Sequence, residues 1–348
     1  MALPAARGSV DTLHGSRVHY LSGPPVPASP GYHFLLAPRR LRVIVEQERP
    51  DVIEIGSPFT APWLTRYATR GSSAKLVGFH HGDERRVWVE HGLGRAPRGV
   101  RDVADGILTR YFRAAYRAFD RTIATSQVAA DGLERTGTSP VTIVPLGVDT
   151  ALFDPSRRDP EWRAEVGASE SQPVALYSGR LASEKNLDVV LEALSLLSRE
   201  HGLKVVMIGA GHMRERIERL ARERPGVLSV LPFEPDRERL ARAYASADLF
   251  LAPCPYETFG LAALEAAASG TPVVGADAGG IGELLAGAGW GRMFSPSSPE
   301  SLSRAIGEVL GAGAAALGAE ARKAALGYSW DRTFERLLEV YREVLGTG

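Results

Sequence analysis

Short apolar runs alternate along the whole chain with longer stretches in which apolar residues recur every three or four positions. Runs that are apolar throughout suit strands buried on both faces, as in parallel sheets covered by helices, while the longer period marks helices with one buried stripe. In the first half the pattern predicts strands at 17–21, 51–56, 76–81, 121–125 and 141–145, with helices at 37–48, 101–119 and 127–136. The second half predicts strands at 174–178, 204–208, 227–231, 249–252 and 272–275. Helices fall between and after them at 187–200, 213–223, 236–245, 282–286, 299–310, 314–326 and 331–345. The stretch "DTALFDPSRRDPEWRAEVG" is polar, carries Pro155 and Pro160, and precedes a fresh strand, so the lobe boundary belongs there. The expected organisation is a first lobe over 1–158, a second over 159–330, and a last helix, 331–348, that can fold back on the first.

The expected class is therefore α/β, two Rossmann-like domains facing a cleft. A length of 348 residues accommodates two such cores. Lysine plus arginine equals aspartate plus glutamate at 41 each, which gives no global pull toward nucleic acid. The single cysteine, Cys254, excludes an internal disulfide framework and any multi-cysteine metal site, and it fits a reducing compartment. The N-terminus lacks the apolar core of a secretion signal and no run reaches the roughly 18 apolar residues of a membrane span, so a cytoplasmic location is expected.

In parallel α/β sheets, ligands sit outside the carboxyl ends of the strands, which directs attention to the loops after them. The strand "VALYS" runs into "GRLASEKNLDVVLEAL", where Gly179 permits a tight turn, Arg180 and Lys185 bracket the loop, and Asn186 stands where a helix begins. Two cations and free helix amides suit a diphosphate; the plainer reading is a solvated basic turn. "GAGHMRER" begins like a dinucleotide fingerprint, but Arg214 occupies the place of the third glycine. Gly209 and Gly211 are then loop glycines close to a nucleotide, or simply a structural turn. In "PYETFGLAALEAAASGTPVV", Glu257 and Glu265 flank Phe259, Gly260 and Leu261. If those three present backbone amides at a helix start, a diphosphate can lie there and the carboxylates are free to accept from sugar hydroxyls. Glu265 suits a ribose diol and Glu257 the transferred sugar. Gly279 and Gly280 in "ADAGGIGEL" offer another close backbone approach.

With "VPLGVDTALFDP", these segments resemble the retaining nucleotide-sugar glycosyltransferases of the GT-B fold, family 4 type, over most of the second lobe and the end of the first. Glu257 and Glu265, with seven residues between them, fit that family's two-glutamate motif. The resemblance implies that Arg180 and Lys185 hold the donor diphosphate, Glu265 the ribose, and Glu257 with the backbone of Phe259 to Leu261 the sugar and phosphates. It places Phe233 against the base. In the first lobe "LVGFHHGD" resembles the strand ending in a histidine that points at the sugar, which nominates His81, with Asp83 a weaker companion and His80 the adjacent competitor. Strand alternation sends the two histidines to opposite faces.

The implied reaction is metal-independent, needs no cofactor, and retains anomeric configuration. It moves a hexose from a nucleotide-sugar, GDP-mannose in preference to a UDP-sugar, onto the hydroxyl of a saccharide, lipid or small molecule. One departure stands out: the family's first strand, glycine-rich loop and second strand are not recognisable, so the first domain reads as truncated or as completed by a partner chain. The arginine-rich segment 84–119, with Arg110, Arg113, Arg117 and Trp88, is a solvated face or a contact with anionic lipid at the inner face of a membrane. The alternatives are a donor-binding subunit inactive alone and a GT-B epimerase. Epimerases do not normally carry the two-glutamate motif.

Overall fold

The computed structural model describes residues 1–26, 33–138, 140–169 and 171–347. The chain opens with β1 (Ala2–Ala5), β2 (Ser9–Leu13) and β3 (Ser16–Ser22), a small sheet in the order β1-β3-β2 with β2 antiparallel to β3. The apolar pattern predicts only the third of these. Every residue of β2 is exposed, so no buried alternation marks it.

The rest of the first lobe is a parallel sheet of β4 (Val52–Ile55), β5 (Lys75–His80), β6 (Arg121–Ala124) and β7 (Val141–Ile143), in that order. Its helices include Pro38–Glu48, Arg98–Tyr116 and Gln127–Arg135 at the expected places. A further helix, Ala61–Ala68, was not predicted; at 8 residues it is too short to declare a period.

The second lobe is one parallel sheet of β8 (Val174–Ser178), β9 (Lys204–Ile208), β10 (Leu228–Leu231), β11 (Leu249–Ala252), β12 (Val273–Ala276) and β13 (Gly291–Phe294). Its order is β10-β9-β8-β11-β12-β13. Leu176, Val206, Leu249, Leu251, Val273 and Val274 are all fully buried, which is why these strands read as unbroken apolar runs. The helix Leu187–His201 seats Leu187, Val190, Leu194 and Leu197 on one face of that sheet and stops at Gly202, whose φ of 60° closes it with a left-handed residue. β13, opened by a glycine, and the helix Pro160–Glu165 inside the expected linker are additions to the predicted set. The latter is anchored by buried Trp162 and Arg163.

Strands are laid down outward in one direction from β8 to β10 and in the other from β11 to β13, so β8 and β11 are neighbours at the switch point of the sheet. The chain passes between lobes twice, and the two crossings touch. Val148 N–H bonds the Tyr328 carbonyl at 3.0 Å, and a Cβ on Gly147 would lie 2.3 Å from the nitrogen of Trp330. The last helix, Trp330–Leu345, then lies on the first lobe, with Val340 packed on Val77, Ile123 and Val144, and the Tyr341 hydroxyl donating to Glu54 at 2.7 Å.

Candidate active site at the switch point

The loop leaving β8 is held at several points before it reaches its cations. Gly179 N–H bonds the Ile208 carbonyl at 3.0 Å, Leu181 N–H the Ala210 carbonyl at 2.7 Å, and the Tyr177 hydroxyl the Arg180 carbonyl at 2.8 Å. Asn186 takes a left-handed conformation, φ 57°, and its side-chain amide donates to the carbonyls of Pro253 and Pro296 at 3.1 and 2.8 Å. That ties the loop after β8 to the loop after β11. Lys185 thereby meets Glu257, Nζ to Oε1 at 2.5 Å. Burial alone would lower the lysine's pKa, but the facing carboxylate outweighs it and holds the ammonium above its ordinary value. Arg180 pairs with Glu184 at 2.9 Å on the same loop and leaves more than half of its side chain exposed.

After β11 the chain turns at Gly260, φ 101°, into the helix Leu261–Ala268, whose first turn has no side-chain cap. Phe259 is buried against Tyr328, ring centroids 6.0 Å apart, so its side chain belongs to the core and only its backbone faces the loop. Glu265 is buried, contrary to what a helix-surface charge would show. One oxygen accepts from Arg237 at 2.8 Å and the other from the Tyr244 hydroxyl at 3.2 Å. Burial raises its pKa and Arg237 opposes the rise. Neither partner was legible in the sequence, because each comes from a helix separated from the motif by a strand. Phe233 lies just past β10 and is 67% exposed, an aromatic face open to solvent. Gly209 and Gly211 serve the loop itself: a Cβ on the first would stand 1.9 Å from the Gly179 oxygen, and on the second 2.2 Å from the Leu181 oxygen.

In the first lobe the two histidines at the end of β5 part as alternation requires. His80 turns inward onto the Tyr116 hydroxyl at 2.9 Å, and burial, with His81 adding to it, pushes its pKa down to about 4. His81 is exposed, its ring tilted beside Phe79 and close to Gly56, and its carbonyl accepts from the Thr258 hydroxyl at 3.0 Å, which brings its backbone against the loop of Glu257. Asp83 caps the following turn by accepting from Arg86 N–H at 3.1 Å, a structural use.

Next to it, Glu84 is enclosed with His80, Phe112 and Tyr116, and burial, with Asp83 nearby, drives its pKa up to about 7. The folded protein thus holds this proton more tightly than the unfolded chain. Its contribution to stability is present below about pH 4 and is lost as the pH rises through 7. Glu84→Gln is expected to be about 3 kcal/mol more stable than wild type at pH 8, the gap closing toward pH 4.5, in urea unfolding at the two pH values.

Matches to known proteins agree with this arrangement in both lobes. Residues 158–324 match the family described as Glycosyl transferases group 1, and residues 3–152 match Glycosyltransferase Family 4. A GDP-mannose-dependent alpha-(1-6)-phosphatidylinositol dimannoside mannosyltransferase of Mycobacterium tuberculosis is 31% identical over 90% of this chain and 79% of its own. The chain belongs to the family 4 glycosyltransferases. A GDP-mannose-dependent alpha-mannosyltransferase of Mycolicibacterium smegmatis is 29% identical over 99% of this glycosyltransferase and 87% of its own length. Two solved structures share the GT-B fold. Sucrose-phosphate synthase from Thermosynechococcus elongatus superposes with a TM-score of 0.77 at 21% identity, covering 97% of this chain and 86% of its own. Anabaena HepE in complex with UDP-glucose gives 0.72 at 17%, covering 94% and 86%. This glycosyltransferase is therefore an enzyme that transfers sugars on two parallel α/β lobes.

Proposed function

We propose that this glycosyltransferase moves a hexose from a nucleotide-sugar, GDP-mannose in preference to a UDP-sugar, onto a hydroxyl acceptor with retention of configuration and without a metal. The observation that carries the reading is the meeting of Lys185 with Glu257 at the switch point, a cation and a carboxylate brought together from the loops after β8 and β11. The donor preference is supported by the two mannosyltransferase relatives, whose names specify GDP-mannose.

In this reading Lys185 leaves Glu257 for the β-phosphate, where Arg180 and the amides of Phe259 to Leu261 join it. As the bond to the sugar breaks, negative charge grows on that phosphate, and fixed cations and dipoles stabilise it more than they stabilise the ground state. Glu257, released, accepts from sugar hydroxyls, and His81 approaches the sugar from the first lobe. Glu265 accepts from the ribose, held for that purpose by Arg237 and Tyr244, and Phe233 supplies a face for the base. The departing phosphate takes the acceptor's proton on the side from which it left, which preserves the configuration.

The acceptor face of the first lobe fits a lipid-borne hydroxyl. On the segment that follows β5 and on the helix Arg98–Tyr116, Trp88, Val100, Val103 and Ile107 are each between 47% and 64% exposed, with Arg98 and Arg110 exposed among them. An apolar stripe with arginines suits an anionic bilayer surface. Among the described residues no helix is long and apolar enough to cross a membrane.

The test is a thermal-shift panel of GDP-, UDP- and ADP-sugars, followed by transfer from the best binder to soluble and vesicle-borne acceptors. At about 100 times its Kd, a true donor stabilises the fold by about 2.7 kcal/mol. No shift with any nucleotide-sugar would refute the site. A shift without transfer would identify a donor-binding chain that is inactive alone.

A further inference from the structure

Thr258 lies inside the two-glutamate motif, yet the reading above gives it no task. It is 7% exposed, and both its hydroxyl and its carbonyl bond to the first lobe. Its hydroxyl donates to the carbonyl of His81 at 3.0 Å. Its own carbonyl accepts from the Thr125 hydroxyl at 3.1 Å and the Ser126 hydroxyl at 2.6 Å, both buried just beyond the end of β6. One residue of the donor loop is therefore fastened to the ends of two neighbouring first-lobe strands.

A second fastening lies one helix away. Glu283, on the helix Gly279–Leu285, accepts from the Gln127 and Val128 backbone N–H groups at 3.0 and 2.8 Å, one bond to each of its oxygens. Those amides open the helix Gln127–Arg135, which Ser126 also caps through the Ala129 N–H at 3.1 Å. A carboxylate at a helix N-terminus meets unsatisfied donors and the positive end of the dipole, and bonds to a charged acceptor are the stronger kind. Glu283 is linked back to the donor loop by the backbone. Gly280 N–H bonds the Glu257 carbonyl at 2.6 Å, and a Cβ on Gly280 would lie 2.5 Å from the carbonyl carbon of Thr258.

We propose that Thr258 and Glu283 are positioning residues that form a clasp between the lobes and set His81 against the donor loop. Opening the cleft at this point breaks the Thr258 bonds to His81, Thr125 and Ser126 and both bonds of Glu283. All are polar, so the clasp can release and re-form without exposing a large apolar surface. The hydroxyl of Thr258 acts on the carbonyl of His81 itself, which fixes the stretch of backbone that carries the imidazole relative to Glu257, the residue next to Thr258 in the chain. The proposal rests on the reading that His81 approaches the transferred sugar.

The experiment uses the full chain with Thr258→Val, Thr258→Ser and Glu283→Ala. Valine keeps the shape of threonine and removes the donor. Its kcat is expected to fall 10- to 100-fold while the Kd for the nucleoside diphosphate, measured by calorimetry, stays within twofold of wild type, and serine is expected to recover most of the loss. In Glu283→Ala the Gln127 and Val128 amides are expected to exchange with deuterium at least tenfold faster, with the β8 and β9 amides unchanged. Thr258→Val with wild-type kcat, or with a fall in kcat matched by lost nucleotide affinity, overturns the positioning role. Unchanged exchange at Gln127 and Val128 overturns the clasp. If the wild-type chain transfers no sugar, the function proposed above fails on its own, and the exchange measurement still decides the clasp.

Discussion

Replacing Lys185 by alanine is expected to lower kcat for sugar transfer by about two to three orders of magnitude, the cost typical of removing one preorganised group from developing negative charge. The ammonium is placed by the Asn186 bonds to Pro253 and Pro296, so it arrives at the phosphate without having to be ordered during the reaction. Arg180 cannot substitute for it, because its guanidinium is more than half exposed and its charge is shared with Glu184. The fold should tolerate the change. The Lys185–Glu257 pair is part-exposed on both sides, and such pairs contribute only about 1 kcal/mol. Steady-state transfer assays beside thermal melts separate the two effects. A variant that keeps more than a tenth of the wild-type rate, with an unchanged melt, would remove Lys185 from the site.

Why the second lobe could be read so fully from the sequence is a matter of burial. Its strands are enclosed on both faces, so Leu176, Val206 and Leu249 must all be apolar, and the pattern declares itself. The motif residues follow directly from those strands, which is why Lys185 and Glu257, on the loops after β8 and β11, meet. The first lobe declares less. β2 is exposed at every position and therefore carries no period, and the helix Ala61–Ala68 is shorter than the window in which a period can be recognised.

What stayed hidden in the site has one cause: it depends on elements distant in sequence. Arg237 and Tyr244 meet Glu265 from the helix before β11, and nothing in the spacing of the glutamates points to them. Thr258 and Glu283 are unremarkable polar residues until the ends of β5 and β6 are brought beside them. The resemblance implies which residues would hold a donor. Contacts between the lobes need coordinates, since they join positions 132, 155 and 177 apart in the chain.

The largest expected effect on the fold comes from Gly209→Ala. The methyl group would stand 1.9 Å from the Gly179 oxygen, a backbone atom that cannot swing aside as a side chain can. Either the loop after β8 or the one after β9 must move by more than an ångström. That strains the Gly179 to Ile208 and Leu181 to Ala210 hydrogen bonds on which the position of Arg180 and Lys185 depends. A forced backbone shift of this kind destabilises by about 1–3 kcal/mol, occasionally more, and the upper half of that range is expected here. The melting temperature should drop by roughly 2–4 °C per kcal/mol. Gly202→Ala is the fitting control, because Gly202 has φ 60° and open space around it, so it carries the conformational cost of about 1–2 kcal/mol and no collision. The expected melts of the two variants overlap, and nucleotide binding separates them. Gly202→Ala keeps the thermal shift with nucleotide-sugar and Gly209→Ala loses it, because only the second displaces the cations. An intact shift in Gly209→Ala would mean that the loop after β8 does not hold the phosphates.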